Sequence, residues 1–496
     1  MTAASPALGS ARASQPNRIA ARAPATRWHV SPAVDLLGYA FSWLPLALPF
    51  WWVVGASVGS IDASRNLAAP FIVIGVVLID VHRHFTFPYV YLNRALRQAF
   101  PVRFWLLPVL SLALLTQLPY LASSSKKLYA AETGAIVAWV VLIAQLARVD
   151  RIGGASLRRA VGAVLTAAIV AGVCVAVAPR AGGWAWLLGA AGASLAVARL
   201  STGPQVPRLE TWLPLGAMAA LLAGAAATSP IVTVGMLVSS LSFIYVLWLI
   251  YHTVMQKYGI LRIYSAKSGV EAKVPRWVDR ALVWCWFPMV IVWAVTESPW
   301  AIVGHLDRVA PGVSSLVYPV IDLFTAHATS WFAIASAAIA GGFGAFLYYE
   351  WSLHRLRNAP RLAFAAGTAL LYASVFWIGV VGLYTAFAVT HCIEYMTFLW
   401  AFQRQRFPGQ SSEAPLLSRM LQWPVLYYGG VALFVGAVFF VARYSSFYFG
   451  IAPDSLALFG VPLYSWAFWY SIVQAFLHFY YDGFLWKMRP ELTRAL

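Results

Sequence analysis

Apolar runs of this chain repeatedly set a histidine beside a second polar side chain. VLIDVHRHFTFPYVYLNR holds Asp80, His82 and His84, and WLIYHTVMQKYGILRIY holds His252 and Gln256. VTHCIEYMTFLWAFQRQR holds His391 and Glu394, and HFYYDGFLWKMR holds His478 and Asp482. Residues three or four apart share a helical face and can converge on one point, so His391 with Glu394, His478 with Asp482 and His252 with Gln256 form natural pairs. His82 and His84 stand about 200° apart around a helix. One of them can face an ion while the other meets lipid or headgroups, unless Pro88 distorts the turn.

Imidazoles and carboxylates brought together from several helices of one bundle are the ingredients of a transition-metal site. The expected ligands are His82, His84, His252, His391, Glu394, His478 and Asp482, holding one or two ions. Mixed nitrogen and oxygen donors suit iron first, then copper or zinc, and leave positions open for dioxygen. Asp80, Gln256 and Trp486 are expected beside them, supporting the ligands or relaying protons. Two blander readings use the same residues: a histidine and an acid one turn apart can simply satisfy each other, or the group can carry protons in a transporter.

The elements that position these residues follow from composition. Of 496 residues 61% are hydrophobic and only 10% charged, with mean hydropathy +0.72; this describes an all-α, multi-pass membrane protein and excludes a soluble one. Apolar segments long enough to cross a bilayer recur about fourteen times. Those carrying the histidines run over about 66–84, 231–252, 382–402 and 461–486, and others fall at about 281–297, 329–350, 362–379 and 423–442. The net charge of +18 resides in short clusters at helix ends, which reads as topology and membrane-surface contact and argues against a nucleic-acid partner. With both termini cytoplasmic, about 29 of the 35 Lys and Arg fall on the inner face. All four histidine-bearing helices are then even-numbered, run from outside to inside, and carry their histidines in the cytoplasmic half.

Depth agrees with that reading. At about 1.5 Å per residue, His478 lies about 13 Å above Lys487, His391 about 19 Å above Arg404, and His84 about 15 Å before Arg94. His252 is only about 7 Å from Lys257, which leaves Arg262 as the alternative boundary if the helix continues. Residues 1–31 read as a disordered basic tail, 32–490 as one transmembrane domain and 491–496 as a cytoplasmic end. The tail lacks the apolar core of a secretory signal and reads as cytoplasmic, with an organellar transit peptide as the alternative; the expected location is a bacterial plasma membrane. The three cysteines, Cys174, Cys285 and Cys392, lie in apolar runs and read as packing residues.

Other features read as structural. The segment 298–328 is expected as a solvated outer loop, with a short re-entrant or surface helix as the alternative, Ser265–Arg280 as a basic strap against headgroups, and Glu350 with His354 as a surface pair. Gly341, Gly342 and Gly344 read as a site of close helix packing.

Histidine-rich pairs at cytoplasmic helix ends resemble the site logic of integral-membrane non-haem iron oxygenases, the desaturase and hydroxylase group. The resemblance covers the site and not the chain, since the HxxxH and HxxHH boxes of that group are absent. It implies a lipid-accessible iron site on the cytoplasmic side; the leading expectation built on it is an oxidoreductase acting on a lipid or isoprenoid substrate, with an electron donor as partner and Trp400 and Trp486 lining the pocket. The alternatives are a proton-coupled secondary transporter and a lipid-modifying transferase in which one histidine is a general base.

Overall fold

The computed structural model describes residues 28–45, 48–49, 74–75, 77–109, 111–112, 234–269, 273–297, 314–407, 414–449 and 456–485. The spans expected over about 129–228 lie outside the described residues. Within them the protein is all-α apart from one two-stranded hairpin. Long apolar sequences satisfy their own backbone hydrogen bonds as helices, which is the requirement of a lipid environment. Three of the described helices are long and apolar enough to cross a bilayer: Arg276–Glu297, Ala328–His354 and Pro424–Ala442. The last turns apolar side chains outward, with Val425 83% and Leu433 76% exposed.

The histidines are carried on a helical segment at 77–84 and on the helices Val234–Lys267, Val375–Arg406 and Leu463–Leu485. Their contacts advance in step. Asp80 meets Ser471, Thr86 meets His478 and Tyr91 meets Tyr481. His82 meets Cys392, Thr86 meets Tyr395 and Tyr89 meets Phe402. His252 lies at a tilt against Phe479 one turn beyond Leu249, which packs with Ala475. These helices therefore run parallel. Parallel neighbours need returning segments, and Pro424–Phe449 is one of them, joined to Leu463–Leu485 by a tight hairpin of Ala457–Leu458 with Val461–Pro462. Phe459 and Gly460 at its tip both have positive φ, as a two-residue turn of this twist requires.

A second return is made at Gly379. There the backbone leaves helical geometry with φ +67° and ψ −178°, conditions only glycine meets without strain. Ala359–Ala373 precedes this corner, and both arms meet the N-terminal segment, Gly367 against Ala40 and Thr390 against Ser42. A β-carbon on Gly367 would stand 1.8 Å from the Ala40 carbonyl oxygen, so the close approach needs glycine. Trp43 fixes the same contact by donating its indole N–H to the Gly367 carbonyl at 3.2 Å.

Several sequence expectations change here. The helix expected to end near residue 252 continues to Lys267, because Lys257 and Arg262 are buried and paired instead of marking an interface. Glu350 and His354 pair at 3.1 Å, but beneath the surface, where Arg361 joins Glu350 to Asp279 and Ser265. Arg262 also binds Asp279 at 3.1 Å, so two arginines and two carboxylates neutralise one another away from water. The strap expected over Ser265–Arg280 begins and ends inside helices, with Asp279 wholly buried in that network. Residues Ser314–Ala326, expected in a solvated loop, form a helix. Of the three glycines expected to pack closely, only Gly342 does, against Cys285; Gly341 and Gly344 have nothing within 4 Å of a β-carbon position among the described residues.

Residues 28–31, placed by the sequence at the end of the tail, are also packed. The Asp35 carboxylate accepts hydrogen bonds from the backbone N–H groups of His29 and Val30 and from the Tyr264 hydroxyl. His29 stacks on Phe398, and Lys267 donates to its carbonyl at 3.3 Å. Burial, and then the charge of Lys267, hold the imidazole down at about 4.

Two tests follow from these contacts. Gly367→Val is expected to destabilise the protein by about 3 kcal/mol in detergent unfolding, whereas Gly344→Ala, in open space on a helix, leaves stability unchanged or slightly raised. A histidine whose folded value is depressed costs stability below its unfolded value, because only the unfolded segment takes up the proton. Hydrogen-exchange protection factors of residues 28–35, corrected for the intrinsic pH dependence of exchange, are therefore expected to fall between pH 7 and pH 5, and His29→Phe to remove that dependence.

Candidate metal centre

The site is built where the parallel helices cross at the level of their histidines. His82, His391 and His478 are all fully buried. The ring of His82 lies 4.7 Å from that of His391 and 4.9 Å from that of His478, centroid to centroid. His252 completes the ring of imidazoles, 5.0 Å from His391 and 5.3 Å from His478. Asp482 reaches in from one turn below His478, its Oδ2 standing 3.4 Å from His478 Nε2 and 3.5 Å from His252 Nε2.

His82, His478 and Asp482 are oriented from behind. His82 Nδ1 lies 3.3 Å from the Leu78 carbonyl oxygen. The Cys392 thiol meets the same nitrogen at 3.2 Å, and in the tautomer that donates from Nδ1 to the carbonyl, Nε2 presents its lone pair to the centre. His478 Nδ1 is held by the Thr86 hydroxyl at 2.9 Å, again leaving Nε2 inward. Thr86 in turn meets the Tyr395 hydroxyl at 2.5 Å, and Tyr395 donates to Asp482 Oδ1 at 3.1 Å. Outer partners of this kind fix ring orientation and tautomer at metal sites.

The inward nitrogens have no hydrogen-bond partner. This holds for Nε2 of His82, His252 and His478 and for both nitrogens of His391. A buried polar atom without a partner costs about 1–3 kcal/mol, and here several are aimed at one point. Two overlapping sets result, His82 with His391 and His478, and His252 with His478 and Asp482; within each set the donor atoms lie within 4.8 Å of one another. Ligands at about 2.1 Å from one ion stand no more than about 4.2 Å apart, so the widest pair needs only a side-chain adjustment of about half an ångström. The donor set fits a metal ion of the type that imidazole and carboxylate hold.

Of the residues expected from sequence, His82, His252, His391, His478 and Asp482 are brought together. His84 is not. It turns away, with Nδ1 at 2.7 Å from the Asp80 carbonyl oxygen and Nε2 at 3.1 Å from the Tyr470 hydroxyl. Asp80 engages Arg83 and Ser471. Glu394 lies on the other flank of its helix, accepting from Lys257 at 2.6 Å, Gln256 at 3.1 Å and Thr390 at 3.3 Å. Gln256 also donates to the His391 carbonyl at 3.1 Å, tying the His252 helix to the His391 helix just behind the site. Trp486 lies outside the described residues, and Trp400 sits beside Arg404, which covers its ring at 5.7 Å.

Sequence reasoning missed Thr86, Tyr395, Arg83 and Lys257. Tyr395 was within reach, since it stands four residues after His391 and shares its face better than Glu394 does at three. Arg83 and Lys257 look like interface caps in sequence, yet both are buried.

Removing one partner of a buried pair leaves an unpaired charge, so Lys257→Met is expected to destabilise the protein by about 3–5 kcal/mol and Lys257→Met with Glu394→Gln to recover most of it, in thermal unfolding. Thr86→Val should preserve the fold and weaken metal retention by about 10–100-fold in chelator competition.

No protein-family model, curated protein or solved structure matches this chain.

Proposed function

We propose that this protein is an integral-membrane metal-dependent oxidoreductase whose centre is held by His82, His252, His391, His478 and Asp482. One observation carries the reading: several oriented imidazoles, buried and without hydrogen-bond partners, face one carboxylate. A hydrogen-bonded structural cluster would leave no such set of orphaned nitrogens, whereas a cation takes one from each ring. His478 belongs to both donor sets and offers only Nε2, Nδ1 being held by Thr86, which favours a single ion over two. Iron is the first choice for a nitrogen-rich set with one carboxylate, followed by copper and zinc.

Iron in such a site supplies redox chemistry with dioxygen as co-substrate and an electron donor as partner. The chain's own residues orient the ligands, exclude water through the surrounding apolar core, and hold Asp482 through Tyr395. The substrate class in this reading is a lipid or isoprenoid delivered from the bilayer. About fourteen spans with both termini cytoplasmic, in a bacterial plasma membrane, make up the accompanying topology. The parallel direction of the histidine helices among the described residues is what that topology requires, and supports it.

A second reading, proton-coupled transport, draws on the buried Lys257–Glu394 pair beside the site. Metal analysis separates the two. Purified protein is expected to carry about one equivalent of a transition metal; His391→Ala and His478→Ala lower it at least about tenfold, and His84→Ala leaves it unchanged. Metal-free wild-type protein, together with proton-driven uptake into liposomes abolished by Glu394→Gln, would replace the oxidoreductase reading with the transport one.

A further inference from the structure

The donor sets favour a single ion, and dioxygen chemistry makes a demand that a single ion meets poorly. Dioxygen takes up several electrons in quick succession, whereas an outside donor delivers them singly. A second group beside the ion that gives one electron and takes it back meets that demand. A buried phenol can do so where its proton has an acceptor. Tyr395 has that setting. It is 2% exposed, and its ring lies edge-on to two ligand imidazoles, 4.9 Å from His478 and 5.6 Å from His82. Its hydroxyl donates to Asp482 Oδ1 at 3.1 Å, while Oδ2 of the same carboxylate faces His478 and His252 at 3.4 and 3.5 Å. The carboxylate is thus divided, one oxygen toward the ion and one toward the phenol. A phenol has a single hydrogen, and here Asp482 receives it. The hydrogen in the 2.5 Å contact with Thr86 therefore comes from Thr86, whose oxygen accepts in turn from His478 Nδ1 at 2.9 Å. All three bonds point one way, from His478 through Thr86 and Tyr395 to Asp482, and bonds in such a chain strengthen one another. Other tyrosines are placed differently: Tyr264 donates to Asp35 and Tyr470 meets His84, neither of which is a ligand.

We infer that Tyr395 is a redox-active residue that gives one electron to the centre and holds the resulting radical. The inference deepens the oxidoreductase reading and rests on it. The phenolic O–H bond of Tyr395 breaks. Its electron passes across the adjoining imidazole to iron that dioxygen has oxidised, and its proton moves along the existing hydrogen bond to Asp482 Oδ1, where a carboxylic O–H forms. Tyr395 is oxidised by one electron and the iron is reduced by one. The phenoxyl oxygen keeps the hydrogen bond from Thr86, which stabilises it in a site without water. One electron from the outside donor and the proton returning from Asp482 restore the phenol. A phenylalanine would fill the same space, so packing does not account for the hydroxyl.

Electron paramagnetic resonance tests this without turnover. The full chain in lipid nanodiscs is loaded with ferrous iron, mixed with dioxygen in the absence of a donor, and frozen. Wild type is expected to show a tyrosyl radical, its signal narrowed when the protein is produced with ring-deuterated tyrosine. Tyr395→Phe loses the signal and keeps the iron content. Placing 3-fluorotyrosine at position 395 retains the hydroxyl and splits the signal by coupling to fluorine, which assigns the spin independently of how the phenylalanine variant folds. Iron-loaded wild type without a tyrosyl signal, a signal unchanged by both replacements, or a sulfur-centred signal lost in Cys392→Ala overturns the inference and leaves the oxidoreductase reading standing. Wild type that binds no iron overturns the iron-dependent reading and the role of Tyr395 with it.

Discussion

Burial of polar groups away from water is the constraint on which this structure depends. A charge or hydrogen-bonding group inside an apolar bundle must find a partner, and the cost of failing is large enough to dictate which helices meet. Arg361 binds Asp279 and Glu350, Lys257 binds Glu394, and Arg83 binds Asp80. Each pair joins or braces helices that sequence alone leaves independent. Buried pairs of this kind contribute little net stability over an apolar replacement, but they penalise every arrangement in which one member is left alone. They act as registers for helix packing.

The imidazoles at the centre stand out against that background. The Nδ1 atoms of His82 and His478 are hydrogen-bonded, and yet their inward nitrogens are not. The protein arranges Thr86, Tyr395 and the Leu78 carbonyl so that those nitrogens point inward with their lone pairs available. Such preparation makes sense for a cation, which neutralises Asp482 and coordinates the rings together. It makes no sense for a packing core, where aromatic hydrocarbons would fill the same volume without the desolvation cost.

Parallel alignment is what allows it. Histidines on neighbouring antiparallel helices meet only where their depths coincide, whereas parallel helices in register keep a whole layer of side chains level. The hairpin at Phe459–Gly460 and the corner at Gly379 reverse the chain so that Leu463–Leu485 and the long arm of Val375–Arg406 run the same way. The N-terminal segment then locks the Gly379 hairpin from the side, through Ala40 on Gly367 and Ser42 on Thr390.

By itself the sequence determined that the chain is a helical membrane-type protein, and it marked the histidines, because apolar length, charge placement and rare intramembrane ionisable residues are local properties. Spacing also singled out His478 with Asp482, since one turn of one helix decides whether they meet. It could not decide between His82 and His84, nor assign Glu394, because each depends on which flank of a helix faces which neighbour. Only the tertiary structure sent Glu394 to Lys257 and His84 to Tyr470, and brought Thr86 and Tyr395 behind the ligands. The same reason explains the misread boundary near Lys257: a buried, paired lysine and an interfacial one are identical in sequence, and only a partner from another helix distinguishes them.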